Sequence, residues 1–363
     1  MGTSSGDGKD SKAPQSVGEL QGLMLLARQQ TRTLVLEDRS ITLPPLTPPS
    51  LEGLKVKTPA IAPVTPEELY ARFQELREQA APRRELARGA PVSEGHEVVM
   101  DVVGHAQGRP IPFSARTGWT TLVRPDPLLP GFFEALVGAQ VGATKELPVT
   151  LPPDYPVESL RGVAARFTVE VKAARELSLP EEDSPEGLKM LGRGATIEEA
   201  MVSIQKELMQ EHVAEARRQL QEHVWNLLLE RCVVELPVAL VDEEIRRQWM
   251  ATEQPALQRW KASAQELQQS LRSWLEDPRT QAETERRLGV ALLLGAIAAR
   301  DKIQPSAKDV EEFVTSMAAT SNMSRAELKK MLSTNSAAAQ QVHNLLLHVA
   351  ATNHVMSKVI LED

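Results

Sequence analysis

From residue 196 onward, apolar positions recur every three or four residues. Ile204, Leu208, Val213, Ala216, Leu220, Val224 and Leu227 follow a roughly 3.6-residue repeat, which predicts one helix of about eight turns ending before Leu236-Pro237. Similar patterns predict helices over 243–260, 265–275, 282–300, 308–318, 325–332 and 337–359, with breaks at 301–306 and 320–322. No fixed repeat length links them, so no solenoid is expected.

Residues 94–176 carry a different pattern. Val98, Met100 and Val102 alternate with other residues as a strand requires, and 146–151 and 166–172 read the same way. Gly104, Gly108, Gly131, Gly138, Gly142 and Gly162 punctuate the stretch, which predicts a small sheet-rich domain.

Upstream, residues 1–17 are Gly-, Ser-, Asp- and Lys-rich and read as a disordered tail. A short helix is expected at 18–32, and two short strands at 33–36 and 40–43. LPPLTPPS (43–50) reads as a stiff extended spacer. Thr65-Pro66 supplies a cap and a first-turn proline for a helix over 67–79. Segments are therefore expected at 1–54 (tail and spacer), 55–93 (linker and helix), 94–176 (sheet) and 177–363 (helical).

Composition narrows the function. The 363 residues carry a net charge of −8, which argues against a general nucleic-acid or anionic-membrane binder. A single cysteine, Cys232, makes no internal disulfide. The first apolar run, Leu23 to Ala27, is too short for an export signal, and no window approaches a membrane span. A cytoplasmic protein is expected. Six of the 13 aromatic residues fall within 94–176 (Phe113, Trp119, Phe132, Phe133, Tyr155 and Phe167), so that segment holds an aromatic cluster.

Familiar catalytic chemistry finds little purchase. No histidine lies near Cys232 in sequence, so a small apolar role suits it better than a nucleophilic one. His343, His348 and His354 are spaced by five and six, which does not align ligands on one helix face, and no metal is expected. Gly138 to Lys145 departs from the phosphate-loop pattern and precedes a strand, so no nucleotide or other cofactor is expected.

Several ordered motifs resemble one family. Leu129-Pro130-Gly131-Phe132-Phe133-Glu134-Ala135-Leu136-Val137-Gly138 resembles the "IPGFE–LVG" stretch of FKBP-type prolyl isomerases, and Val149-Thr150-Leu151-Pro152-Pro153-Asp154-Tyr155 resembles their "VTFPEDY". Leu160-Arg161-Gly162 and Phe167 to Val171 follow in the usual order. The flanks resemble trigger factor: Leu236 to Ile245 is similar to "ELPEALVDEEI", and Glu285 to Gly295 to "ERRVKLGLLL". The resemblance spans roughly residues 51–361. It implies an α+β fold, with a small FKBP-like antiparallel sheet domain attached to a larger all-helical, arm-bearing chaperone domain. The family's ribosome-docking loop, Gly-Phe-Arg-x-Gly-x-x-Pro, has no counterpart. Residues 1–54 hold five basic and six acidic residues, so ribosome binding is not expected.

The resemblance also implies site residues. Phe132 matches the pocket floor, Leu129 the residue before the Pro-Gly turn, Tyr155 a hydroxyl donor, Phe167 a wall, and Trp119 a further aromatic. Val102, Ile111 and Leu151 stand where the family carries rings, and Pro112 where it carries an acid. These departures are expected to loosen the pocket. An isomerase needs no nucleophile, only an apolar pocket that favours the twisted amide. The plainer reading is that Phe132, Phe167 and Trp119 fill the core of a small sheet domain. On the helical side, eight of the 11 methionines lie in residues 190–363, and flexible methionines suit a surface that fits many sequences. Met317 and Met323, beside a polar break, are the candidates for such a surface. Three functions are thus expected to compete: an ATP-independent chaperone for unfolded or nascent polypeptides, an active peptidyl-prolyl isomerase, and a scaffold dedicated to one partner.

Overall fold

The computed structural model describes residues 33–36 and 39–42 by backbone, and residues 46–126, 129–232, 234–321 and 323–362. The expected polar tail and the helix at 18–32 lie outside these residues. In chain order the elements begin with β1 (Thr33–Leu36), β2 (Arg39–Thr42), β3 (Lys55–Lys57), α1 (Pro66–Ala80), β4 (Arg83–Glu85), β5 (Glu97–Ala106), β6 (Arg109–Pro110) and β7 (Arg116–Leu122). Next come α2 (Phe132–Leu136), β8 (Thr144–Thr150), β9 (Ala164–Leu177), α3 (Pro185–Leu191), α4 (Ile197–Glu230), α5 (Val238–Thr252), α6 (Gln254–Arg259) and α7 (Ala264–Glu276). The series ends with α8 (Pro278–Arg300), α9 (Ala307–Thr320), α10 (Arg325–Thr334), α11 (Ser336–Met356) and β10 (Ile360–Glu362). The fold is α+β, as the sequence pattern and the resemblance imply.

These elements form two compact units, each assembled from separate stretches of chain. The first comprises Met1–Pro59, Arg217–Glu243 and Ala282–Asp363; the second comprises Ala60–Ala216 and Glu244–Gln281.

In the first unit, Val224, Leu228, Leu293, Ile297, Ala351 and Val355 build a helical core that Leu54 and Val56 complete. β3 and β10 pair in parallel, with Val56 opposite Leu361. The proline-rich stretch departs from the expected spacer. Leu46 packs on this core, Pro49 is buried, and the Pro49 carbonyl accepts from Arg300 Nη1 at 2.7 Å. Proline rings are apolar enough to bury once their carbonyls find donors. Cys232 packs at the edge of the same core, and burial pushes its thiol pKa up, which leaves it a poor nucleophile.

The second unit centres on a six-stranded sheet in which β5 lies between β9 and the pair β6 and β7, while β9 also pairs with β4 and β8. All these pairings are antiparallel. Val98, Met100, Val102, Leu147, Val169 and Val171 form its core with the aromatic residues. Helix α1 is capped as expected, with Thr65 Oγ1 accepting from the Glu68 N–H at 3.1 Å, and it buries Phe73 against Ile204 and Leu208 of α4. Burying such a ring is worth about 1.5–3 kcal/mol.

Simple alternation fails in the middle of β5. Asp101 is 0% exposed and Val103 is buried as well, so both faces of the strand are covered there. The helical residues 244–281 belong to the same unit, and from them Arg259 reaches Asp101 and, at 3.6 Å, Glu170. Lys172 Nζ lies 2.6 Å from Asp101, and the Gly118 N–H donates to it at 2.7 Å. Burial alone would raise the Asp101 pKa. Lys172, Gly118 and Arg259 outweigh it and hold the carboxyl below its usual range.

Candidate functional site

The aromatic residues converge on one place in the second unit. Gly131, at φ +88°, makes the turn that starts α2, a backbone conformation that glycine adopts without cost. The Phe132 N–H donates to the Leu129 carbonyl at 3.2 Å across this turn. Lys145 Nζ donates to the carbonyls of Ala135 at 2.7 Å and Val137 at 3.1 Å, so a cation on β8 closes the C-terminal end of α2. Phe132 is thereby fixed at 1% exposure.

Around Phe132 the rings pack edge to face. Its centroid lies 5.1 Å from Phe133 at 88° and 5.3 Å from Phe167 at 86°. Trp119, on β7 opposite Met100, lies 6.1 Å from Phe132 and 5.9 Å from Phe133. Arg116 sits over the Trp119 ring at 5.1 Å. Gly104, opposite Phe167 in the sheet, leaves room for the Phe167 ring, and Ile111 Cδ1 reaches the same spot.

Sequence-predicted residues therefore fall into layers. Phe132, Phe167, Ile111, Val102 and Leu151 are buried in the core of the sheet unit. Trp119, Tyr155 and Leu129 are half-buried and pack against that core. Burial raises the Tyr155 pKa; Arg116 opposes this and Glu253 adds to it, so the phenol keeps its proton and stays a hydrogen-bond donor at neutral pH. Met317 and Met323 belong to the first unit: Met317 is half-buried on α9, and Met323 is exposed ahead of α10.

Sequence reasoning passed over Glu253, which lies between α5 and α6. It is 2% exposed, and its Oε2 accepts from Ser270 Oγ at 3.1 Å and from Trp274 Nε1. Trp249 Nε1 donates to the same Ser270 hydroxyl at 2.8 Å. Burial pushes the Glu253 carboxyl above its usual range, and the donors Trp274 and Ser270 offset only part of that. Only the fold brings residue 253 to residues 113–116, so no local signal announces it. Phe113 was detectable as a large apolar side chain between Pro112 and Ser114.

What this arrangement offers is an aromatic, apolar surface with a phenol donor and a guanidinium at its margin. Among the described residues, no group of three or more His, Cys, Asp or Glu is placed to hold a metal ion, and no helix is long and apolar enough to cross a membrane. A cleft of about 510 Å³ elsewhere on the unit is lined by charged side chains, including Arg88, Glu170, Lys172 and Arg259.

Comparison with known proteins agrees with the motifs. A family model for the C-terminus of bacterial trigger factor protein matches residues 196–357. Trigger factor of Aeromonas hydrophila subsp. hydrophila is 30% identical over 313 residues, covering 85% of this chain and 68% of that protein. Trigger factor of Actinobacillus pleuropneumoniae serotype 5b is 28% identical over 311 residues, with the same coverages of 85% and 68%. A solved structure described for promiscuous substrate recognition in folding and assembly by the trigger factor chaperone aligns with 18% identity over 88% of this chain and 74% of that one. Its TM-score of 0.35 is too low for that superposition to bear on the fold.

Proposed function

Because this chain belongs to the trigger factor family of chaperones, we propose that it binds unfolded or assembling polypeptides without ATP, in the cytoplasm. The observation that carries this reading is the family match across residues 196–357. Exposed Met209, Met250, Met323 and Met331 and half-buried Met317 support it, since flexible thioethers adapt to many sequences. The net charge of −8 and the near balance of charge over residues 1–54 favour protein clients over nucleic acid, membranes or the ribosome.

A second activity is supported by a separate observation, the convergence of Phe132, Phe167, Trp119 and Tyr155. In this reading Phe132 and Phe167 form the floor under a proline ring, with Leu129, Ile111, Val102 and Leu151 as its apolar lining, and Tyr155 donates to the substrate carbonyl. The sheet unit is then an FKBP-type peptidyl-prolyl isomerase. Rotation about an X–Pro bond takes tens to hundreds of seconds unaided, which leaves room for measurable catalysis.

One experiment separates the two. The chain is added in substoichiometric amounts to a model protein whose refolding is limited by proline isomerisation. Slower refolding in proportion to added chain supports client capture. A catalytic acceleration that Tyr155→Phe diminishes supports the isomerase. No effect on refolding or on aggregation sinks both.

A further inference from the structure

The loop after β6, residues 111–115, is gripped by the helical residues 244–281. Phe113 packs on Trp274 of α7 with ring centroids 4.4 Å apart and a 45° tilt. It does so at φ +64°, where a bulky side chain is an outlier that its surroundings must hold. The ring remains 38% exposed, so core burial does not explain the conformation; the contact with Trp274 does.

Glu253 sits at the same junction with divided duties. The side-chain donors Trp274 and Ser270 both go to Oε2, which ties the carboxylate to α7. Oε1 is buried without a hydrogen-bond partner, so the hold on the carboxylate runs through α7 and the Trp274 ring that meets Phe113. Glu253 thus fixes the Trp274 indole through its N–H, and the fixed indole holds the Phe113 ring and with it the loop. Ile111 rides on the same loop. Its N–H donates to the Gly104 carbonyl at 2.9 Å, and its side chain lies beside Phe167 over Gly104.

We propose that Glu253 is a positioning residue for the aromatic site, fixing the 111–115 loop from the helical side and so setting Ile111 against Phe167. What the site does rests on the isomerase reading above; the grip on the loop does not.

The test uses the full chain with Glu253→Ala, Glu253→Gln and Glu253→Asp, read by amide hydrogen exchange and by isomerisation of a proline peptide. Glu253→Ala is expected to speed exchange at 111–116 by about ten-fold while β8 and β9 keep native rates. Glu253→Gln restores near-native exchange, because its amide oxygen accepts from Trp274 and Ser270 as the carboxylate does. Glu253→Asp, one methylene short, does not. The Ala and Asp variants should raise KM about five-fold and leave kcat within about two-fold. Native exchange in both Ala and Asp variants, failure of Gln to rescue, or a lowered KM overturns the assignment. If Glu253→Ala disorders α5–α7, the contrast between Gln and Asp decides alone. A native chain without isomerase activity removes the isomerase reading and leaves the exchange result to judge the grip.

Discussion

The Phe167 ring lies against the backbone of Gly104, its register partner across β5 and β9. A Cβ at residue 104 would come within 2.6 Å of Phe167 Cε1 and 3.0 Å of Cδ1. The strand conformation there is ordinary, so glycine is required for space and not for backbone freedom. Gly104→Ala should displace the ring from its edge-to-face contact with Phe132 and cost about 1–3 kcal/mol in urea unfolding. A variant as stable as the native chain, with unshifted Phe167 ring resonances, would show that the sheet yields there easily.

Asp101 supplies a second expectation. Its carboxylate is held by Lys172, the Gly118 N–H and Arg259. Replacing it with Asn leaves Lys172 without its carboxylate and Arg259 with Glu170 alone, but both cations are partly exposed and can turn to water, so the loss should be about 1–3 kcal/mol. The sign with pH follows from the depressed pKa. The contribution is present above the ordinary value of 3.8 and is lost as pH falls through the lower folded value. Native and Asp101→Asn stabilities should therefore converge in strong acid. A gap that stays constant with pH contradicts this account.

His212 acts with the opposite sign. Its Nδ1 is 2.8 Å from the Ala62 carbonyl and its Nε2 is 2.7 Å from Glu68 Oε1. Both partners are acceptors, so both ring nitrogens must donate, which only the imidazolium can do. The Ala62 carbonyl and then Glu68 raise the pKa above 6.5. The stabilisation is complete below 6.5 and fades as pH rises through the folded value. An NMR titration should place His212 above 6.5, and His212→Gln should flatten the stability profile upward from that pH. A titration midpoint below 6.5 refutes the doubly bonded imidazolium.

In the first unit, Arg231 forks onto three carbonyls, those of Ser50 at 3.3 Å, Glu52 at 3.1 Å and Gly53 at 3.0 Å. Lysine cannot reproduce that fork. Arg231→Lys should loosen residues 50–57, seen as faster amide exchange, at a cost of about 1 kcal/mol. Unchanged exchange there means that Leu51, Leu54 and Val56 hold the segment by burial alone.

Much of this architecture was legible along the chain. Thr65-Pro66 marked the start of α1, the apolar repeat from Ile204 to Leu227 marked α4, and Pro237 marked the gap before α5. β2 begins at Arg39, one residue before the expected start at Ser40, well within what propensity resolves at a strand end. The layers around Phe132 follow motifs that the resemblance supplied. What stayed hidden depends on partners far away in sequence. Alternation in β5 speaks for one covered face, and nothing near Asp101 or Val103 reveals that residues 244–281 cover the other. Pro49 looked like part of a spacer because its donor, Arg300, lies 251 positions away. Glu253 went unnoticed because Ser270 and Trp274, its donors, lie 17 and 21 positions away.

Consider finally how the two units are threaded. The core of the first needs Leu54 and Val56, Val224 and Leu228, Leu293 and Ile297, and Ala351 and Val355, while the sheet of the second is complete by Leu177. During synthesis the sheet therefore has every strand it needs while just over half of these residues are still unmade. The first unit must wait until β10 is available to pair with β3, more than 300 residues after that strand was made. Contacts so distant in sequence form slowly. Until then the Leu54–Val56 segment is itself an unfinished hydrophobic strand, in the same condition as the polypeptides this family attends.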